Sequence, residues 1–390
     1  MISISRLLCD TVSPGDHLRY REHPPARPVE TPRPVVVWNC TRQCNLACIH
    51  CYASASARKS PGEMDTAAGK AFIDDLAAFG VPVLLFSGGE PLLRKDFFPL
   101  AEHARSQGLR IALSTNGTVI GPEQAGELAR LGFAEVGISL DGTGANNDHF
   151  RGHRGAFTAA LAGIRNCLAR SLRVSLRLTI TRFNYGEIPA ILQLVEDEGI
   201  DRVCFYHLAY SGRGTGLQKN DIDHAETRRV VDLIAERTVD MYRRGLKKEI
   251  LTVANHADGV YLYLRSLATD PARAERIMAL LRTNGGNNSG VRIGAVDDCG
   301  NVHPDQFWWH HSLGNVTERK FGDIWSDVSE PLLCGLRDRR QRLTGRCARC
   351  RFLDVCNGNL RVRAEAVYGD VWAPDPACYL TDEEIGLSAN

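Results

Sequence analysis

Three cysteines near the start of the chain are the residues best suited to chemistry. Cys44, Cys48 and Cys51 stand at the spacing C-x3-C-x2-C, and the aromatic Tyr52 follows them. Thiolates hold iron–sulfur cubes, and four of them saturate a four-iron cluster. Three thiolates therefore leave one iron with an open position, which can bind and activate a ligand. A zinc loop is the alternative, and it needs a fourth ligand such as Cys40.

A second group of cysteines lies near the end of the chain. Cys347, Cys350 and Cys356 follow the spacing C-x2-C-x5-C, and 21 residues separate Cys356 from Cys378. Four thiolates complete a cube without an open iron, so this site is expected to relay electrons or to position a substrate. A structural zinc ion is the alternative. Cys299 is a further candidate ligand, because it lies on a predicted hairpin that precedes this group.

The motif Ser87-Gly-Gly-Glu90-Pro adds to the cysteine loop. Its two glycines let the backbone approach a ligand closely, and its carboxylate can accept hydrogen bonds from an ammonium group. With C-x3-C-x2-C and the aromatic after it, this motif resembles those of the radical S-adenosylmethionine (SAM) superfamily. The resemblance implies that SAM chelates the open iron and that one electron cleaves its sulfonium. The resulting 5′-deoxyadenosyl radical would then abstract hydrogen from a substrate.

The resemblance also implies which residues hold SAM. Glu90 is expected to bind the amine of SAM, and Arg177, inside an apolar strand, the methionyl carboxylate. Short polar side chains at strand ends are expected to meet the ribose hydroxyls or the carboxylate. A loop cap is the alternative for Asn116 and Asp141, and an internal ion pair is the alternative for Arg177. The predicted SAM-binding residues are Tyr52, Gly88, Gly89, Glu90, Ser114, Asn116, Ser139, Asp141 and Arg177.

Short apolar runs alternate with amphipathic helical stretches from residue 34 to about residue 211. Strands that are each followed by a helix indicate a parallel sheet, and right-handed connections curl such a sheet toward a barrel. The candidate residues follow the strands, where the functional loops of such barrels collect. We therefore expect an α/β fold, a partial (β/α)6 TIM-like barrel with a small C-terminal auxiliary iron–sulfur domain. The predicted strands are residues 35–38, 81–86, 110–114, 135–140, 174–180 and 202–207.

The chain divides into four predicted parts. The first is rich in Pro and Arg and is expected to be an extended lead-in or lid. The last resembles the twitch and SPASM extensions of the superfamily, but a full SPASM pattern has a further cysteine at the position of Leu360. One auxiliary cluster is therefore expected, which makes the cofactors two [4Fe-4S] clusters and SAM. The parts are residues 1–33, the lead-in; 34–220, the barrel; 221–290, a helical linker; and 291–390, the auxiliary cluster domain.

The composition bounds the location and the partners. The chain has 390 residues, 44% of them hydrophobic, and a net charge of +1, which argues against a nucleic-acid partner. The sequence shows no apolar run near the ~20 residues of a membrane helix and no signal-peptide core, so we expect no membrane contact and a cytoplasmic location. Thirteen cysteines in a cytosolic enzyme indicate metal rather than disulfides. An electron donor such as flavodoxin or ferredoxin is the expected protein partner.

The last part of the chain carries residues suited to a flat substrate with carboxylates at its rim. Segments 302–310, 313–316 and 357–363 resemble radical SAM enzymes of heme d1 biosynthesis. That resemblance implies an iron tetrapyrrole, didecarboxysiroheme, as substrate, and the replacement of two propionate side chains with oxo groups. Aromatic rings can stack on the macrocycle, imidazoles can ligate its iron, and arginines can pair with its carboxylates. The substrate candidates are His303, Trp308, His310, His311, Arg361 and Arg363.

Other functions are alternatives to this one. Related radical SAM enzymes of the alternative heme pathway act on other tetrapyrrole side chains by similar chemistry. A SPASM-type peptide-modifying enzyme predicts an N-terminal leader-binding domain, for which residues 1–33 are too short and too rich in Pro. A zinc-binding scaffold without turnover is the alternative outside enzymes, and an assay for iron and sulfide separates it from the others.

Overall fold

One mixed sheet of eleven strands organises the chain. The computed structural model describes residues 1–20 and 32–387. The strands are β1 (Ile2–Ser3), β2 (Val35–Asn39), β3 (Leu84–Ser87), β4 (Ile111–Thr115), β5 (Val136–Ser139), β6 (Val174–Ile180), β7 (Arg202–His207), β8 (Glu249–Val253), β9 (Ile293–Val296), β10 (Asn301–His303) and β11 (Gly314–Asn315). Their order across the sheet is β1-β8-β7-β6-β5-β4-β3-β2-β9-β10-β11.

The helices begin and end at recognisable caps. Asp65, for example, accepts a hydrogen bond from the Ala68 backbone N–H at one helix start, and Gly80 ends that helix with a φ of 80°. None of the helices in residues 1–20 and 32–387 is both long and apolar enough to cross a bilayer. The α-helices are α1 (Ile4–Cys9), α2 (Asp16–Arg19), α3 (Thr66–Phe79), α4 (Phe97–Ser106), α5 (Pro122–Arg130), α6 (Gly144–Arg151), α7 (Ala156–Leu168), α8 (Ile188–Asp197), α9 (His224–Arg243), α10 (Ala257–Thr269), α11 (Pro271–Asn284), α12 (Phe321–Trp325), α13 (Pro331–Arg337), α14 (Gly345–Ala348), α15 (Leu353–Cys356) and α16 (Arg361–Tyr368).

The central strands are parallel, and the predicted α/β fold is confirmed. Neighbours from β2 to β8 pair in parallel, and helices connect them on the outside of the sheet. The predicted strands match β2 to β7 to within three residues at every end. Strand β9 pairs in parallel with β2, and β9 and β10 form the predicted antiparallel hairpin. The carboxyl ends of the central strands therefore share one edge, where the candidate residues lie.

The helical linker predicted for residues 221–290 is incomplete, because this segment also contains a strand. Strand β8 lies between α9 and α10 and pairs in parallel with β7, which adds a seventh strand to the predicted six. Its apolar run is short and directly follows the charged residues Lys247, Lys248 and Glu249. The longer amphipathic patterns of the flanking helices therefore hid it in the sequence.

Residues 1–20 do not form the extended lead-in that the sequence predicted. Ile2, Ile4 and Leu7 are fully buried, and β1 adds an antiparallel edge to the sheet beside β8. Ser3 caps α1 by accepting a hydrogen bond from the Arg6 backbone N–H. Three of the five prolines and two of the five arginines in residues 1–33 fall in residues 21–31, which lie outside the described residues.

Buried polar groups fix the end of the chain over the carboxyl ends of β7 and β8. Arg363, with no exposed surface, pairs with Asp375 and donates to the carbonyl oxygens of Leu208 at 2.9 Å and Ala254 at 2.8 Å. A buried guanidinium needs such a full set of acceptors. The C-terminal cysteine set is thereby held near the edge of the sheet where the N-terminal cysteine loop also lies.

Candidate active site

The structure brings Cys44, Cys48 and Cys51 together after β2, where they line one large chamber with Tyr52. Burial raises the pKa of the Cys44 thiol to about 11 and also raises that of Cys48. Buried thiols that have to be thiolates need a bound metal to compensate their charge. Donors already face the sulfurs, with the Leu46 N–H 3.4 Å from Cys44 Sγ and the Ala55 N–H 3.4 Å from Cys51 Sγ.

The sulfurs of the cysteine loop are spaced more widely than those around a bound zinc ion. A tetrahedral zinc ion with Zn–S bonds of about 2.3 Å holds its sulfurs about 3.8 Å apart. In the described part of the chain, no three cysteine sulfurs all lie within 4.8 Å of one another. Cys40, the candidate fourth ligand, has no exposed surface, and burial raises its pKa to about 12. The donor set is therefore three cysteines, which suits a cube with one open iron.

Gly88 and Gly89 pack directly against the cysteine loop. A Cβ atom at Gly88 would collide with the Thr41 carbonyl oxygen, and one at Gly89 with the Gln43 carbonyl oxygen. The same segments are joined by backbone hydrogen bonds from Gly89 to Thr41 at 2.7 Å and from Glu90 to Gln43 at 2.8 Å. Both glycines line the chamber. Their lack of side chains thus sets the distance between the two loops, and it also leaves backbone exposed to a ligand.

The Glu90 carboxylate points away from the chamber in this structure. It is fully buried and accepts hydrogen bonds from the Thr115 hydroxyl at 2.8 Å and the Asn116 N–H at 2.8 Å. Burial raises its pKa to about 7. Glu90 therefore holds the loop after β4 in place. The predicted contact between Glu90 and the amine of SAM stays a prediction, because it requires the carboxylate to turn.

Ser114, Asn116, Ser139 and Arg177 all line the chamber, and their contact with SAM stays a prediction. Arg177 donates from Nη1 to Ser114 Oγ at 2.7 Å. Its guanidinium lies over Gly137, where a Cβ atom would collide with it. Asn116 Nδ2 lies 3.8 Å from Cys44 Sγ, so this side chain also touches the cysteine loop. These four positions can all reach a ligand that is bound beside the cysteines.

Asp141 was predicted to contact SAM, but in the structure it is a buried ion-pair partner. Its carboxylate has no exposed surface, lies 2.5 Å from Arg151 Nη2 and 3.1 Å from His50 Nε2, and accepts the Thr179 N–H at 2.7 Å. Burial opposes ionisation, but Arg151 and His50 hold the pKa of Asp141 at about 2. Arg151 in turn lies 3.7 Å from Cys48 Sγ. Asp141 thus orients two cations at the cysteine loop.

Tyr52 and Phe307 close one side of the chamber. The Tyr52 hydroxyl donates to Asn39 Oδ1 at 3.1 Å and lies 3.0 Å from Ser87 Oγ. Its ring meets Phe307 edge to face, with centroids 5.5 Å apart. Phe307 belongs to the C-terminal part of the chain, so both parts contribute to the chamber wall.

The second cysteine set converges on one point as well. Burial, followed by the neighbouring sulfurs of Cys378, Cys347 and Cys350, raises the pKa of Cys356 well above its ordinary value. The Phe352 N–H lies 3.4 Å from Cys350 Sγ. Cys299 is not part of this group, because the charges that act on it come from Asp298, Asp297, Arg42 and Glu63. The set is therefore Cys347, Cys350, Cys356 and Cys378, which can saturate a cube.

The substrate candidates occupy other places than the sequence predicted. Arg361 and Arg363 are fully buried, and their guanidinium groups donate to backbone carbonyls or pair with Asp375, so neither can meet a substrate carboxylate. Trp308 is fully buried and packs in a small apolar cluster. The imidazoles of His310 and His311 pair with Glu365 and Glu330. The chamber lining contains none of these side chains and not His303.

Sequence reasoning missed the residues that hold the cysteine loop and shape the chamber. Arg213 donates to the carbonyl oxygens of Cys48 and Ala55, each at 2.7 Å. Tyr206 lines the chamber because it alternates with outward-facing residues on β7. For most of these residues the signal was the inward positions of the predicted strands, at every second residue, but Arg173 lies just before a predicted strand and Glu249 lies on the unpredicted β8. The chamber residues of this kind are Val35, Val37, Val83, Leu85, Ala112, Glu135, Arg173, Arg202, Cys204, Tyr206 and Glu249.

Known proteins are similar to this chain in sequence. The sequence profile of the Radical SAM superfamily matches residues 38–195. The chain is 53% identical over 395 residues to the Fe-coproporphyrin III synthase of Methanosarcina barkeri, covering 99% of both chains. It is 44% identical over 373 residues to the pre-heme d1 synthase of Dinoroseobacter shibae, covering 95% of this chain and 92% of the relative. The chain belongs to the radical SAM superfamily, so it is an enzyme that uses a [4Fe-4S] cluster and SAM. Within the superfamily it is similar along nearly its whole length to these two synthases.

Solved structures share the fold at low sequence identity. Native anSMEcpe with bound AdoMet gives a TM-score of 0.69 at 17% identity and covers 88% of this chain and 93% of that one. SuiB of Streptococcus suis bound to the precursor peptide SuiA gives 0.68 at 19% identity and covers 90% of this chain and 76% of that one. At this level of identity, the likeness extends to the fold alone.

Proposed function

We propose that the protein is a radical SAM enzyme that modifies carboxylate-bearing side chains of an iron tetrapyrrole. The observation that carries the proposal is the chamber of about 490 Å³, which has the three cysteines at one end and arginines along one wall. Glutamates pair with some of these arginines, but the lining contains more arginines than acidic residues. SAM carries a sulfonium, an ammonium and a single carboxylate, so a substrate with several carboxylates would balance the remaining positive charge better.

Strand alternation gives the chamber two unlike walls. The wall formed by β2, β3 and β4 is apolar, and the wall formed by β5 to β8 is charged. An iron tetrapyrrole has an apolar face and carboxylates at its rim, so it complements both. The apolar residues are Val35, Val37, Val83, Leu85 and Ala112, and the charged residues are Glu135, Arg173, Arg177, Arg202 and Glu249.

The charged wall contains more positive than negative charge. Arg202 pairs with Glu135, and Arg173 pairs with Glu249 at 2.5 Å. Arg177, 3.6 Å from Glu135, adds a further cation. Arg110 also lines the chamber, and no described residue forms a hydrogen bond or an ion pair with its guanidinium group. Excess positive charge in an enclosed space favours an anionic ligand.

The relatives support one tetrapyrrole reaction more than the other. The sequence interpretation put the heme d1 reaction first, with two propionates of didecarboxysiroheme replaced by oxo groups. Identity of 53% with the Fe-coproporphyrin III synthase, against 44% with the pre-heme d1 synthase, favours Fe-coproporphyrin III as the product. The heme d1 reaction is the second candidate, because its relative is still similar over 95% of this chain.

In this proposal, residues of the chain bind and orient SAM and shield the reacting carbon of the substrate from water. A bound cluster with SAM supplies a 5′-deoxyadenosyl radical that can take hydrogen from an unactivated carbon. Arg177 and Ser114 hold the SAM carboxylate, and the apolar wall keeps water from the reacting carbon. We further propose that Cys347, Cys350, Cys356 and Cys378 hold a second [4Fe-4S] cluster. An electron carrier such as flavodoxin or ferredoxin would serve this enzyme in the cytoplasm.

Anaerobic turnover tests the proposal. Reconstituted protein is incubated with SAM, a reductant and didecarboxysiroheme, and product mass and 5′-deoxyadenosine are followed. Fe-coproporphyrin III as product supports the first candidate, and an oxo-bearing product supports the second. Release of 5′-deoxyadenosine that ignores the tetrapyrrole contradicts both, and turnover of a peptide instead would support the peptide-modifying alternative.

A binding measurement tests separately the role of Arg110, which lines the chamber immediately before β4. Arg110→Gln is expected to weaken binding of Fe-coproporphyrin III about tenfold, because it removes one charge-assisted hydrogen bond. SAM binding should not change. The matched control is Arg154→Gln, which removes an exposed arginine outside the chamber. Equal affinity of wild type and Arg110→Gln for the tetrapyrrole would count against this part of the proposal.

A further inference from the structure

A group of metal-binding side chains lies at the turn between β9 and β10, outside both cysteine sets. One carboxylate oxygen each from Asp297 and Asp298 and the sulfur of Cys299 lie within 4.8 Å of one another. The two aspartates are 7% and 1% exposed, and Cys299 is half-buried. Two buried carboxylates beside a thiol repel one another when they are ionised, so a bound cation would stabilise the group.

The Asp298 carboxylate accepts a hydrogen bond from Ser60, but one of its two oxygens is left unsatisfied by the described residues. Its Oδ2 atom is buried and has no hydrogen-bond partner in the described part of the chain. Its backbone carbonyl accepts the Met64 N–H at 2.8 Å, which fixes the residue against segment 59–64. Asp297, by contrast, caps the turn, since its Oδ1 atom accepts the N–H groups of Cys299 at 3.0 Å and Asn301 at 2.8 Å. Capping of the turn accounts for the buried carboxylate of Asp297, but it does not account for the unpaired carboxylate oxygen of Asp298.

His303 adds a fourth donor beside the group. Its Nδ1 atom lies 2.7 Å from the His311 carbonyl oxygen, which can only accept, so Nδ1 carries the proton. In the neutral ring, Nε2 then has a lone pair, and no described residue forms a hydrogen bond with it. It lies 3.4 Å from Asp297 Oδ2, which also accepts a hydrogen bond from Asn301 Nδ2 at 2.9 Å. A lone pair that faces a carboxylate needs a proton or a metal ion between them. Histidines that ligate metals have this arrangement, in which the far nitrogen donates to a carbonyl.

We propose that Asp297, Asp298, Cys299 and His303 form a site for one divalent transition-metal ion of the zinc class. A donor set of oxygen, sulfur and nitrogen excludes the hard cations Mg²⁺ and Ca²⁺, which prefer oxygen alone. Zinc bonds of about 2.0 to 2.3 Å need small side-chain rotations to draw the four donors together. The ion would hold the hairpin turn against Gly62, whose Cα faces the Cys299 sulfur, and thereby brace the segment that follows the cysteine loop.

Cobalt titration of the holoenzyme tests the site. Reconstitution with iron and sulfide first occupies the two cysteine sets, and Co²⁺ is then added in the absence of oxygen. Co²⁺ is the probe because a thiolate bound to it gives a charge-transfer absorption. We expect one equivalent of Co²⁺ to bind and Zn²⁺ to displace it. Cys299→Ser should remove the absorption, and His303→Gln should weaken Zn²⁺ binding about 10- to 100-fold. Cys334→Ser, which changes an exposed cysteine outside both sets, is the matched control and should leave the titration unchanged.

The opposite results would overturn the proposal. Wild-type holoenzyme that binds no Co²⁺ while its clusters stay intact would show that His303 and Asp297 form a simple ion pair. Binding that survives both Cys299→Ser and Asp298→Asn would place the ion elsewhere. Iron content and circular dichroism check that each variant folds, and the wild-type titration decides the question even if a variant does not. Neither result depends on which tetrapyrrole is the substrate.

Discussion

The two cysteine sets differ in how the protein surrounds their sulfurs. In the N-terminal set every sulfur has a donor nearby, which is a backbone N–H for Cys44 and Cys51 and the Arg151 guanidinium for Cys48. In the C-terminal set, the backbone N–H groups of Phe352 and Leu380 donate to Cys350 and Cys378, so two of the four sulfurs have a backbone donor among the described residues. The N-terminal set also lines the chamber, whereas the C-terminal cysteines do not.

This difference indicates two tasks. Hydrogen bonds and positive charge near the sulfurs make a cluster easier to reduce. The site with three thiolates is therefore equipped both to accept an electron and to bind SAM in the adjoining space. The site with four thiolates has no ligand to add and stands outside the chamber, which suits a relay or a structural role. The following predictions test this division.

Cys48→Ser should have the largest effect. Losing one of three thiolates removes the cluster that binds SAM, so cleavage of SAM should fall to background. Iron should drop from about eight to about four atoms per chain, because the second cluster remains. Iron analysis and 5′-deoxyadenosine release measure both. A variant that still cleaves SAM would break the comparison at its first step, since the N-terminal set would not be the site of radical formation.

Cys356→Ser should separate the two tasks. Iron should again fall to about four atoms per chain, but SAM cleavage should stay within about tenfold of wild type. Formation of the tetrapyrrole product should be lost. Product mass beside 5′-deoxyadenosine release shows whether the two have become uncoupled. If zinc rather than iron occupies the second set, iron in the wild type would be about four atoms per chain and would not change in this variant.

Arg151→Met should lower the reduction potential of the N-terminal cluster. A charge-assisted hydrogen bond of roughly 1.5 kcal/mol corresponds to roughly 60 mV for a one-electron couple. Spectroscopic redox titration measures the shift. Arg351→Met, which removes a cation that stacks on Phe352 in the C-terminal part, is the control and should leave this potential unchanged. An unchanged potential in Arg151→Met would mean that backbone donors alone set the difference between the clusters.

The sequence predicted what depends on local spacing. Cysteines at C-x3-C-x2-C can share a cluster in any short loop, and strands β2 to β7 showed their apolar pattern within a few residues. Long-range partners were not predictable in this way. From the sequence, Arg363 was predicted to pair with a substrate carboxylate, but its partners Leu208 and Ala254 are more than a hundred residues away in the chain. Trp308 was predicted to contact the substrate for the same reason, because nothing near it in sequence shows what buries it.

Glu90→Gln should have the smallest effect and the most specific pH dependence. Above pH 7, the ionised carboxylate accepts from Thr115 and Asn116 and holds the loop that reaches Cys44. Below its pKa of about 7 the carboxyl is protonated, one oxygen becomes a donor, and this loop should loosen. SAM affinity should therefore fall a few-fold as the pH drops through about 7 in wild type, and it should be weak and flat in Glu90→Gln.

Stability should change with pH in the opposite direction. Because folding raises the pKa of Glu90 from 4.5 to about 7, its contribution is fully present below pH 4.5 and is lost as the pH rises through about 7. The melting temperature of wild type relative to Glu90→Gln should thus decline over the range in which SAM affinity rises. Exposed Glu102→Gln is the control for calorimetry and SAM titration. If SAM affinity and the melting temperature changed in the same direction with pH, the effect on SAM affinity would reflect general unfolding. The N-terminal site would then have no pH response of its own that distinguishes it from the C-terminal site.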